Sequence, residues 1–162
     1  MKKLYFDETE NNKCIGIFMT DVEIISAGTT IYAMPITDKN YQYQEIAHHY
    51  DIHFIFEDNI PMIPFYTVPQ IDIMATDSNG GFIGTLGHLS DLSSQSPICY
   101  IDINRQCYLI APNGPAFLQN LSHWKNNLVP YNDVLFYDSK ASAQKALDFI
   151  TLQDINNKIS PY

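Results

Sequence analysis

Between Lys39 and Arg105 the sequence contains no lysine and no arginine, although Glu45, Asp51, Glu57, Asp58, Asp72, Asp77, Asp91 and Asp102 all fall in that interval. The middle of the chain therefore carries a net charge of about -8, most of the -9 of the whole. Binding a phosphate backbone depends on lysine and arginine, so this deficit argues against nucleic acid and anionic membrane as direct partners. It favours a basic protein partner, whose encounter such a field would accelerate. Long apolar runs are also missing: Ile15–Met19 and the proline-interrupted Ile60–Val68 fall well short of the roughly 20 residues of a membrane helix. Lys2 and Lys3 lead into Asp7, Glu8 and Glu10 without an apolar stretch, so no secretory signal is expected and the reading is cytoplasmic. Cysteine is scarce. Cys14, Cys99 and Cys107 show no CxxC spacing, which suggests neither a disulfide framework nor a zinc knuckle. Cys99 and Cys107 flank a turn and read as small buried thiols.

What is present is enough for one folded domain: 162 residues, 46% hydrophobic and 13% aromatic, can bury roughly 70% of the unfolded surface around a core. Cys14–Met19, Val22–Ile25 and Thr30–Met34 are β-branched and aromatic runs separated by turn-like residues, which predicts an antiparallel meander, with residues 1–38 as an appended unit. Tyr43, Ile46, Ala47 and Tyr50 fall at helical spacing, predicting a short helix over Asn40–Tyr50. Ile52–Phe56 and Gln70–Ala75 read as strands, joined by an irregular segment containing Pro61, Pro64 and Pro69. A strand from Gly81 to Thr85 follows, then a hairpin of Pro97–Asp102 and Gln106–Ala111. The period then changes. Pro115 behind Asn113 opens one amphipathic helix to Leu128, with Phe117, Leu118, Leu121, Trp124 and Leu128 as its apolar stripe. Ser139 begins a second, with Ala143, Ala146, Leu147 and Ile150 on one face. Strands followed by helices predict an α+β fold, an antiparallel sheet with C-terminal helices packed against it.

Four of the seven glycines lie in the stretch Thr76–Gly87, TDSNGGFIGTLG. A phosphate loop would need a lysine, and a dinucleotide fingerprint would need its glycines to open a helix. A calcium loop would need a carboxylate where His88 stands. A tight turn survives, with positive-φ positions in Asp77–Gly80 and close backbone approach at Gly81. His49 and His53 share i, i+4 spacing but lack the glutamate of HExxH, and read as polar surface. His88 and Asp91 have no nucleophile signature to serve. His123 reads as exposed and Trp124 as core. No catalytic set, metal cluster or cofactor motif stands out. Tyr41, Tyr43, Tyr50, Tyr66, Tyr131 and Tyr137 exceed what a small core requires, and tyrosine is enriched at interfaces. Combined with the acidic middle, they predict a partner-binding surface containing Asp51, Glu57, Asp58, Asp72, Tyr43, Tyr50 and Tyr66.

The order of these elements resembles the SUKH superfamily. The resemblance rests on the Asp77-Ser78-Asn79-Gly80-Gly81 turn, the hairpin of Ile98–Ile103 with Tyr108–Ala111, and Pro115–Leu121 with its Phe117-Leu118 pair, and it covers about residues 60 to 128. It implies a non-enzymatic binding module. Many bacterial members are immunity proteins that neutralise polymorphic toxins, frequently nucleases, and a fungal branch regulates cell-wall synthesis. The resemblance thus implies either an immunity protein against a basic toxin or a regulatory or scaffold protein of cell-wall synthesis. It carries no catalytic residues over to this chain.

Overall fold

The computed structural model describes residues 2–7, 22–87, 92 and 94–150. The predicted strand Cys14–Met19, like His88 and Asp91, lies outside them. The fold is α+β, as the switch of period implies. Its centre is a seven-stranded sheet in the order β10 (Val129–Pro130), β9 (Cys107–Ala111), β8 (Ile98–Ile101), β7 (Phe82–Leu86), β6 (Ile71–Thr76) and β3 (Thr29–Ile31), with β4 (His53–Phe54) also paired to β6. Neighbours from β10 to β6 are antiparallel, as is β4 to β6. β5 (Tyr66–Val68) and β11 (Leu135–Tyr137) form a separate antiparallel pair.

The antiparallel meander is not what forms. β1 (Lys2–Phe6) and β2 (Val22–Ser26) pair in parallel, and β3 leaves them to run parallel to β6. The cause is the Ala27-Gly28 link. Gly28 takes φ +118°, its N–H donates to the Thr67 carbonyl at 2.8 Å, and its carbonyl accepts from Ile71, so the chain crosses between sheets instead of reversing.

α1 (Tyr41–Tyr50) forms where expected, with the Asn40 side chain accepting from the Gln42 N–H. The expected helix from Asn113 to Leu128 is broken. Asn113 caps α2 (Gly114–Gln119) by accepting from Ala116, but a 3-10 segment covers Leu121–Asn126. At the junction the Asn120 side-chain amide donates to the Ala116 carbonyl at 3.0 Å, occupying the acceptor that helix continuation would use, while its backbone N–H turns to Phe117. Of the predicted stripe, Phe117 and Trp124 are buried and Leu118 and Leu128 are exposed. Ser139 caps α3 (Lys140–Ala146), which buries Ala143 and stops short of Leu147 and Ile150. Beyond it, Asp148 and Ile150 bond to the backbone of Tyr5, so pairing with β1 displaces another helical turn.

The sheet is buried on both faces. Ala75, Ile83, Ile98, Tyr100 and Ile110 meet Phe117 and Trp124 on one side, while Ile71, Ile73, Cys99, Ile101 and Cys107 meet Phe65 and Val134 on the other. β8 alternates between these clusters and all four of its residues are buried, as expected for a central strand. Leu4, Phe6 and Ile150 make a third cluster beneath β1 and β2.

Candidate partner-binding surface

The glycine-rich turn is organised around a carboxylate. Asp77 Oδ1 accepts from the N–H groups of Asn79 at 3.1 Å and Gly81 at 2.7 Å, and the Tyr100 phenol donates to Oδ2 at 2.6 Å. Burial first, and then the Asp77 carboxylate, raise the phenol's pKa, so it remains a donor. Gly80 supplies the positive φ of +82°. A Cβ at Gly81 would overlap the Tyr100 ring, so a side chain is what crowds that glycine. The close backbone approach lies at Gly84, where a Cβ would meet the Asp72 carbonyl oxygen at 2.5 Å. The stretch forms a turn held by the Asp77 carboxylate and the Tyr100 phenol.

Asp51 is also committed to the fold. It ends α1 in the left-handed region at φ +57°, and its carboxylate accepts from Ser78 Oγ at 2.7 Å, Ser78 N–H at 3.0 Å, Lys125 Nζ at 2.8 Å and the His53 ring at 3.0 Å. Burial alone would raise its pKa; the hydrogen bonds from Lys125, Ser78 and His53 outweigh that and hold it at about 2. One side chain thus joins α1, β4, the glycine turn and the 3-10 segment. Trp124 adds a second tie to α1, its indole N–H donating to the Tyr50 carbonyl at 2.7 Å.

The other expected contact residues divide. Tyr43 is half-buried, edge-on to Phe54 and Phe56 at 5.5 and 5.4 Å. Tyr50 packs on the helix-side core. Tyr66 is half-buried and donates to the buried Asp7 at 2.7 Å. Asp72 is half-buried between β3 and β7, accepting from Thr30 at 2.8 Å. Tyr43, Tyr50, Tyr66, Asp51 and Asp72 are therefore tied into packing or hydrogen bonds, because the phenols and carboxylates that looked surplus fill out the rim of a two-sided core. Tyr131 and Tyr137 are half-buried as well. Glu57 and Asp58 stand exposed.

Glu57 and Asp58 belong to a ridge whose apolar members the sequence pattern did not separate from core. Phe56 bridges to Met34, the Glu57 N–H donates to the Met34 carbonyl at 2.9 Å, and Lys39 pairs with Asp58 at 2.9 Å while lying 5.3 Å over the Phe56 ring. These contacts set the 3-10 turn Ile36–Asp38 beside Glu57 and Asp58. The exposed apolar residues of these segments are Ile36 (52%), Tyr41 (70%), Ile60 (53%) and Met62 (89%). A hollow of about 250 Å3, lined by His53, Phe54, Asp58 and Pro61 among others, opens along the same edge. The proline spacing of Ile60–Pro64 was the available signal, since an apolar run that cannot join a sheet must leave some side chains outside.

His49 and His53 have local partners: His49 bonds Glu45 at 2.8 Å and His53 bonds Asp51. His123 is exposed and Trp124 buried, as read. Cys99 and Cys107 are free, buried, and one diagonal step apart across the β8–β9 hairpin, so both are core thiols. Among the described residues no three His, Cys, Asp or Glu side chains are placed to hold a metal, and no helix is long and apolar enough to cross a membrane. No family model, curated protein or solved structure matches this chain, so the candidate surface rests on its own geometry.

Proposed function

We propose that this chain is a non-enzymatic, cytoplasmic binding module of SUKH-like type, an immunity protein that binds and neutralises a cognate basic toxin, with a nuclease as the favoured class of target. The observation that carries this reading is the exposed edge where Ile36 and Asp38 of the 3-10 turn lie beside Glu57 and Asp58, with Tyr41, Ile60 and Met62 exposed in the adjoining segments and Lys39 already paired. Apolar anchors within an acidic surround suit a basic protein: the field speeds encounter, and the anchors slow dissociation. A nuclease must expose cationic groups to hold phosphate, and an acidic cover over them blocks its substrate by charge and by bulk.

The test is capture of partners on the tagged protein from the native host's lysate at low and high salt, followed by assay of the purified partner. The expected result is a single basic protein in a 1:1 complex, inhibited on binding, with an association rate that falls at least tenfold in the triple variant Asp38→Lys, Glu57→Lys, Asp58→Lys. Capture of several envelope-synthesis enzymes with no toxin inhibited would replace this reading with the regulatory or scaffold role. An unchanged association rate would remove the ridge from it.

A further inference from the structure

Away from the ridge, β1 and β2 stand apart from the β5–β11 pair and enclose a cleft of about 570 Å3, within the size range of small-ligand sites. Ile25, Val68 and Pro69 give it an apolar lining, and the half-buried rings of Tyr5 and Tyr131 flank them. Lys3, Glu23 and Asp133 line its exposed rim. The burial of Tyr131 and the nearby Asp133 raise its phenol's pKa, which keeps that ring neutral and places the carboxylate close to it. Glu23, Asp133 and Lys3 make no ion pair and no side-chain hydrogen bond with any described residue.

We propose that this cleft is a binding site for a cation carried on a methylene stem, a guanidinium or ammonium whose stem lies along Val68, Pro69 and Ile25 and whose head reaches Glu23 and Asp133 between the two phenol rings. Each part of the cleft matches one part of such a ligand. The apolar lining takes methylenes that leave water, the ring faces attract a cation, and the two carboxylates complete the pairing. A neutral or anionic ligand would leave both carboxylates without a partner. Lys3 opposes the cation's charge across the rim and therefore sets the affinity. The site does not depend on the ridge or on the partner proposed for it. The same chemistry is presented by a free amine and by an arginine side chain of a protein.

The experiment is a titration of the full-length protein followed by amide and aromatic NMR. One arm uses agmatine, the free guanidinium on a methylene stem, and the other a capped peptide with a single arginine. Saturable shifts at Tyr5, Val68 and Tyr131 in either arm are expected, weakened about five- to tenfold by E23Q/D133N and strengthened by K3Q. Tighter agmatine binding identifies a free amine as the source, and tighter peptide binding a protein side chain. All three substituted side chains are exposed, and a gain in K3Q cannot come from damage to the fold. Absence of cleft shifts at millimolar ligand in both arms, or equal affinity in E23Q/D133N, would overturn the proposal.

Discussion

Asp51 and Asp77 are carboxylates whose roles are set by what donates to them, and each can be tested by a small substitution. Asn tolerates the left-handed backbone at position 51, so Asp51→Asn keeps the end of α1 and removes the charge that Lys125 and His53 face. Urea denaturation at pH 7 should show a loss of about 1–2 kcal/mol, held to this range because the side chain keeps some contact with water. The folded pKa of about 2 lies below the ordinary 3.8, so the folded state binds this proton less readily than the unfolded state. The contribution is therefore complete above pH about 4 and disappears as the pH falls toward 2. The stability difference between wild type and Asp51→Asn should close over that interval. A difference that persists at the acid end would show that packing, not charge, is what the substitution changes. At the turn, Tyr100→Phe removes the phenol that donates to Asp77, at an expected cost of about 1.5–3 kcal/mol by the same measurement. Hydrogen exchange at the Gly81 amide should quicken with it, since that amide shares the carboxylate.

Helix starts were legible in the sequence because a cap is a local event. Asn40, Asn113 and Ser139 each stand where a side-chain oxygen accepts an amide from the first turn. Asn113→Ala should cost about 1 kcal/mol in urea denaturation, and emission from Trp124, the one tryptophan of the chain, should report it, because the 3-10 segment that carries Trp124 follows α2 directly. An unchanged midpoint would mean that α2 is held by Phe117 alone. Helix ends were less legible: the bond from Asn120 back to Ala116 and the capture of Leu147–Ile150 by β1 depend on competition that periodicity does not encode. Strand positions were readable from alternation in β6, β7, β8 and β9. Strand direction was readable where a short turn joins neighbours, as in the β8–β9 hairpin, but not for β2 and β3, since a period of two is the same in parallel and antiparallel pairs. The burial of the tyrosines was illegible for a related reason. Composition shows that tyrosines are numerous, but whether Tyr43 lies in solvent or against Phe54 and Phe56 is decided by segments that meet only in the fold.

At the scale of the molecule, charge and topology each have consequences. With a net charge of -9 at neutral pH and an isoelectric point near 4.7, solubility should pass through a minimum close to that pH, which turbidity will show. Asp51 is still ionised there, so the precipitate should redissolve with native tryptophan emission on return to pH 7. Material that stays insoluble would mean that the acid weak point lies elsewhere. Topology places residues from near the two ends of the described chain side by side: the Tyr5 N–H donates to the Asp148 carbonyl at 2.9 Å, and the Tyr5 carbonyl accepts from Ile150 at 2.9 Å. On a ribosome β1, once made, must wait while more than a hundred residues are added, on the order of ten seconds at ordinary elongation rates. Until then the edge of β1 that Asp148 and Ile150 bond lacks them, and the nascent chain can offer that strand to another chain nearby.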